Sequence, residues 1–176
     1  KDRQTPVAKS TIKAAEIQDR LGSQEFPELL NNTPSVYATK SGGGFGDARI
    51  TIRGFAQENI AVLINGVPVN DMENGRVYWS NWAGLADVTT AMQVQRGLGA
   101  TKIAMPSIGG TINIITQGVG TKKGGSFKQE YATGNFLRSS LSYNTGMTPS
   151  GWGLTFSASY KQGQGWVDGT PTQGFF

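Results

Sequence analysis

The stretch from Asn70 to Trp82 carries the side chains best suited to holding a ligand. Tyr78, Trp79 and Trp82 offer flat stacking area. Gln57, Glu58, Asn59, Asn74, Arg76 and Asn81 offer hydrogen-bond donors and acceptors nearby in sequence. Such a mix suits a sugar, a peptide or a chelate. The alternative is that the aromatics pack inward, since Tyr and Trp are mostly buried in folded chains. Asp71, Glu73 and Asp87 are the candidate acid–base carboxylates, but no spacing brings them together, and they read as isolated surface acids. Ser41 to Gly46 is Gly-rich, yet it lacks Gly-Lys-Ser/Thr and no helix follows, so it is not a phosphate loop.

The chain contains no His and no Cys. That removes Ser-His-Asp and Cys–His catalysis, zinc fingers, iron–sulfur clusters and most transition-metal sites. No metal and no cofactor are expected, and no enzyme. A hydrolase would have to rest on Asp71 or Glu73 alone.

Gly accounts for 25 of the 176 residues, while charged residues make up only 16%. Both depart from the averages of soluble domains, about 7% Gly and about 25% charged. The bias points to tight turns and many strands rather than helical bundles. The net charge of +4 is spread along the chain, so no nucleic-acid partner is indicated. No apolar run has the length of a membrane-spanning helix, and no signal peptide stands at Lys1.

The elements that must position these residues fall into two textures. Lys1 to Ser10 reads as extended. Thr11 to Leu21 reads as a helix capped by Ser10 or Thr11 and stopped by Gly22, and Glu25 to Asn31 as a second. Strands are expected at Val36 to Thr39, Arg49 to Arg53, Ile60 to Ile64, Met92 to Arg96 and Thr111 to Thr116. Asn65-Gly66 is a hairpin turn leading to Val67 to Val69. Short helices are expected at Leu85 to Ala91 and Ala100 to Ala104.

Beyond Gly118 the pattern becomes alternating. Phe127 to Thr133, Leu137 to Thr145 and Trp152 to Lys161 set apolar residues against small polar ones. Turns fall at Gly134-Asn135 and at Thr148-Pro149-Ser150-Gly151. Strands of about ten residues that end in aromatics are the mark of outer-membrane barrels. A soluble β-sandwich alternates in the same way. Three strands cannot close a membrane barrel, which needs about eight, so completion by strands outside this sequence is expected.

Two segments carry an identification. One is Ile50-Thr-Ile-Arg53-Gly54-Phe55 followed by Val62-Leu-Ile-Asn65-Gly66-Val-Pro68-Val. The other is Gln93-Val-Gln-Arg96-Gly97 followed by Ile108-Gly109-Gly110-Thr-Ile-Asn113-Ile-Ile-Thr116. Their order and spacing resemble the plug domain of TonB-dependent outer-membrane receptors. Pro27-Glu-Leu-Leu followed by Pro34-Ser35-Val36 also fits that family's pattern. The resemblance covers Thr11 to Thr116. Asn65 stands for the usual Asp, Ser35 for the usual Gly, and Met105-Pro106 for the usual Tyr-Gly.

The resemblance implies an α+β plug over residues 1–118, with 1–10 as an extended N-terminal segment. Residues 119–176 would then be the first antiparallel strands of an incomplete transmembrane β-barrel. It implies that Arg53 and Arg96 pair with carboxylates on the inner barrel wall, since charges on otherwise apolar strands need partners inside protein. The alternative is that both are surface arginines. Gly54, Gly66, Gly97, Gly109 and Gly110 would serve sharp turns and close backbone approaches. The implied function is energy-coupled import with a plug gating the barrel in the bacterial outer membrane. Implied partners are a TonB-type protein, outer-membrane lipid and an extracellular chelate, oligosaccharide or peptide; whether a surface lipoprotein also covers the barrel is left open by the sequence. The rival is a soluble plug-like ligand-binding module.

Overall fold

The computed structural model describes residues 8–22, 24–41, 48–97, 106–120 and 122–164, with 171–175 described in backbone only. The expected helix at Ala100 to Ala104 and most of the Gly-rich loop after Ser41 lie outside these residues.

A five-stranded sheet forms the centre of the first body, in the order β1 (Lys9–Lys13), β6 (Thr89–Arg96), β7 (Gly110–Thr116), β4 (Ile60–Ile64) and β5 (Val67–Pro68). The continuous apolar run of β4 pairs in parallel with β7, Ile60 opposite Gly110 and Ile64 opposite Ile114. Val62, Val94, Ile112 and Ile114 are fully buried, as a sheet covered on its faces requires. Gly110 lies where β7 passes β6. A β-carbon there would sit 2.3 Å from the Gln95 carbonyl oxygen, so no other residue fits without backbone movement.

The first expected helix begins later than its pattern suggested. Thr11 and Ile12 belong to β1, paired with Gln93 and Met92, and only Ala14–Leu21 is helical (α1). The β-branched pair Thr11-Ile12 favours the strand, and Ile12 is buried by it. Neither Ser10 nor Thr11 therefore caps α1, whose N-cap is Lys13, with no side-chain cap. The second helix is a 3₁₀ helix, Phe26–Asn32, with a reciprocal capping box between Glu25 and Glu28. Leu85–Val88 (α2) is one turn long, and Thr89 already begins β6.

β2 (Val36–Lys40) and β3 (Ala48–Ile52) form a separate antiparallel pair. Arg53 and Gly54 then make a two-residue turn, φ +53° and +81°, closed by two hydrogen bonds between Ile52 and Phe55. Asn65 and Gly66 repeat that turn at φ +51° and +84°.

The second body is an antiparallel sheet of β8 (Gly124–Ala132), β9 (Phe136–Asn144), β10 (Thr155–Gln164) and β11 (Pro171–Phe175). The fourth strand was not legible in the sequence. The burial of β8 to β10 is inverted relative to a soluble sheet. Phe127, Leu141, Tyr143, Leu154 and Phe156 are exposed, whereas Arg138, Ser140, Asn144 and Ser159 are buried. The face turned onto the first body is polar except for Phe136, and the apolar face is outward. The architecture is an α+β body followed by an antiparallel sheet, the fold class that the sequence resemblance implied.

Candidate functional site

The loop after β5 is built before it can bind anything. Asn70 accepts the Val62 N–H at 2.8 Å and donates its amide to the carbonyls of Ile60 and Gly75 at 2.9 and 2.8 Å. Asp71 turns the chain: its Oδ1 accepts the N–H groups of Glu73 and Asn74. Asn74 donates to the Tyr78 hydroxyl at 2.8 Å. Arg76 Nε reaches Glu58 Oε1 at 2.6 Å and ties this loop to the one before β4. The Glu58 carboxyl is held below the usual carboxylate range, first by its own backbone N–H and next by Arg76.

Gln57, Glu58, Arg76 and Tyr78 come together on the rim of a cavity of about 360 Å³. Arg49, which the sequence did not single out, lines it too, and Arg49 has no ion-pair partner among the described residues. The cavity thus pairs two guanidinium groups with one carboxylate beside an aromatic ring. Asn74 faces a second cavity of about 660 Å³ with Met72 and Glu73. Trp79 does not face either: it is 3% exposed, its ring centre is 6.1 Å from that of Phe26, and its indole N–H donates to Gln57. Asn81 and Trp82 line a smaller space of about 190 Å³ against Ser157 and Ser159 of β10. Asn59 is half-buried, and its carbonyl accepts the Gly109 N–H.

Arg53 is exposed, with its guanidinium beside Gly97. Arg96 is half-buried and donates to the Pro34 carbonyl and the Ser10 hydroxyl, both at 3.3 Å. Among the described residues neither forms an ion pair with the second sheet. The ion pairs between the two bodies run the other way. Asp87 of α2 meets Arg138 of β9 at 2.7 Å, and Glu25 meets Lys161 of β10. Asp87 is therefore not an isolated surface acid, because its side chain is only 6% exposed. The signal available was Asp87 inside the apolar Leu-Ala-Asp-Val turn and the cations on the polar faces of alternating strands.

Residues 1–111 match the family model described as TonB-dependent Receptor Plug Domain. The chain belongs to this family. The ferric enterobactin receptor of Pseudomonas aeruginosa is 31% identical over 157 residues, taking in 79% of this chain and 21% of that protein. The vitamin B12 transporter BtuB of Vibrio vulnificus is 24% identical over 110 residues, 62% of this chain and 18% of that protein. The chain spans about a fifth of the length of these relatives. Two solved structures share the fold. The ferric citrate transporter FecA, unliganded, superposes with a TM-score of 0.73 at 22% identity, covering 98% of this chain and 28% of that one. BauA, the ferric preacinetobactin receptor from Acinetobacter baumannii, gives 0.73 at 20% identity, covering 93% and 24%. The first body is thus the plug, and β8 to β10 are antiparallel strands of an incomplete β-barrel.

Proposed function

We propose that this chain is the N-terminal part of a TonB-dependent transporter of the bacterial outer membrane, its plug seated in the barrel lumen and gating import. The carrying observation is the inverted wall: Phe127, Leu141, Tyr143 and Phe156 are exposed on the face away from the plug, whereas Arg138, Ser140, Asn144 and Ser159 are buried on the other. That pattern fits lipid outside and a hydrated lumen inside.

Substrate binds from outside against the cavity of Gln57, Glu58, Arg76 and Tyr78, together with wall loops beyond this chain. A chelate, an oligosaccharide or a peptide fits the mixture of charge and aromatic surface. A TonB-type protein supplies force from the inner-membrane proton gradient, since the outer membrane has no nucleotide supply. The plug need open only locally, which costs less than global unfolding. Arg53 and Arg96 contact wall carboxylates carried by strands beyond this chain. No catalytic step is involved.

Fractionation of the full gene product tests this reading. The expected result is release from the outer membrane only by detergent and a heat-modifiable barrel on gels. A soluble, folded product would overturn it in favour of a ligand-binding module.

A further inference from the structure

The plug–wall seam carries a charge pattern that the import reading does not require. On the lumen face of the wall, Glu130, Arg138 and Lys161 lie opposite one another on three adjacent strands. Arg138 reaches Glu130 at 3.6 Å and Asp87 of the plug at 2.7 Å. Lys161 bonds Glu25, the residue that also caps the 3₁₀ helix Phe26–Asn32. One turn further along that helix, Glu28 meets Lys40 at 3.8 Å. The Asp87 and Arg138 side chains are 6% and 7% exposed, and that of Glu25 is 6%. A space of about 190 Å³ between Trp82, Leu85, Val88 and Ser157, Ser159 borders the same seam.

By contrast, β1 is an edge strand of the plug sheet and, among the described residues, pairs with one strand, β6. Only Ile12 of its five residues is buried. Losing one partner of a buried ion pair is far more costly than fraying an exposed edge strand.

We propose that Asp87 and Glu25 are positioning residues that dock the plug permanently on β9 and β10 through Arg138 and Lys161. This rests on the plug-in-barrel reading. The docked side stays closed, and β1, an edge strand, is the reference against which its protection is read. The polarity, plug carboxylate to wall cation, is the reverse of the expected Arg53 and Arg96 contacts.

The test uses the full-length receptor and no transported ligand, so its failure is separable from failure of the import reading. Amide exchange followed by mass spectrometry is measured on the parent and on Arg138→Met, which leaves the plug sequence intact. In the parent, Lys9–Lys13 should exchange at least about 100-fold faster than Leu85–Val88. In Arg138→Met, protection of Leu85–Val88 should fall at least about ten-fold, while β4 and β7 keep theirs and report a folded plug. Arg138→Lys should restore most of it. In cells, Arg138→Met should also raise sensitivity to vancomycin, a probe too large for an intact outer membrane, and Arg138→Lys should not. Unchanged protection of Leu85–Val88 in Arg138→Met would overturn the docking role. So would a parent in which Lys9–Lys13 is as protected as Leu85–Val88. Should Arg138→Met fail to reach the membrane, Asp87→Asn is read by the same two measurements.

Discussion

The guanidinium of Arg53 lies against the bare α-carbon of Gly97, so that a β-carbon on Gly97 would stand 2.8 Å from Nη1. This joins the ends of the two sequence motifs that identify the family. Gly97 also holds φ at +86°, a region costing other residues roughly 1–2 kcal/mol. Gly97→Ala should therefore loosen the β6–β7 end of the plug by about 2 kcal/mol or less if Arg53 swings away. Opening free energies of the β6 amides, from hydrogen exchange on the full receptor, measure this. The double variant Gly97→Ala with Arg53→Ala should recover the steric part only.

Ser35 gives the opposite expectation. It sits at φ +65°, and its carbonyl accepts the Arg53 N–H at 2.9 Å. The family's usual Gly at this position is explained by that left-handed backbone. Ser35→Gly should stabilise the start of β2 by about 0.5–1 kcal/mol, the relief of strain less the added freedom of the unfolded chain. Slower exchange of the Val36 amide would register it, and faster exchange would refute the strain argument.

Local signals were legible where a few adjacent residues decide the structure. Ile60 to Ile64 could only be a buried strand, and Asn65-Gly66 could only be a tight turn. What the sequence concealed depends on partners far along the chain. Thr11 and Ile12 looked helical because Ala14 and Ala15 follow, but their strand partner lies at Met92 and Gln93. Asp87 looked exposed because Arg138 is 51 residues away. The alternation of β8 to β10 was plain, yet alternation alone does not say which face is inside. Only the placement of Ser140 and Ser159 against the plug does. At the candidate site, Tyr78 and Arg76 were found by type. Asn70 was missed because a lone Asn in a polar loop carries no signal until its three backbone partners are folded around it.

Asn70 is the fastener of that loop. Asn70→Ala removes three hydrogen bonds and leaves the Val62 N–H and two carbonyls to find other partners. Each such loss costs about 1 kcal/mol or more. Residues 71–78 should then open by roughly 2–3 kcal/mol more readily in exchange experiments. Asn70→Asp, which keeps the acceptor for Val62 and loses both donors, should fall between.

The Arg76–Glu58 tie should be indifferent to pH across the neutral range. The Glu58 carboxyl is held below its ordinary value of 4.5. A depressed carboxyl contributes stability that is present above its unfolded value and is lost as pH falls through the lower folded one. Tryptophan fluorescence of the loop region should accordingly stay flat from about pH 5 to 8 and change only below about pH 4. In Arg76→Met the transition should move upward but not all the way, because the backbone N–H is the larger cause. A transition near neutrality would contradict the assignment.

The outward face of the wall separates a membrane strand from a soluble one. Phe156 on β10 is 51% exposed, opposite Tyr143 of β9. In a soluble sheet, Phe156→Arg would be a surface change worth about 0.5 kcal/mol or less. In a bilayer it places a guanidinium against hydrocarbon, costing about 2–4 kcal/mol near the midplane and less toward the interface. Ser142→Ala on the lumen face should be nearly neutral in either case. Denaturant unfolding of the full receptor in lipid vesicles resolves the two. A large loss for Phe156→Arg beside an unchanged Ser142→Ala means that lipid covers the apolar stripe. Two small effects would mean that water does, and the strands would then belong to a soluble module.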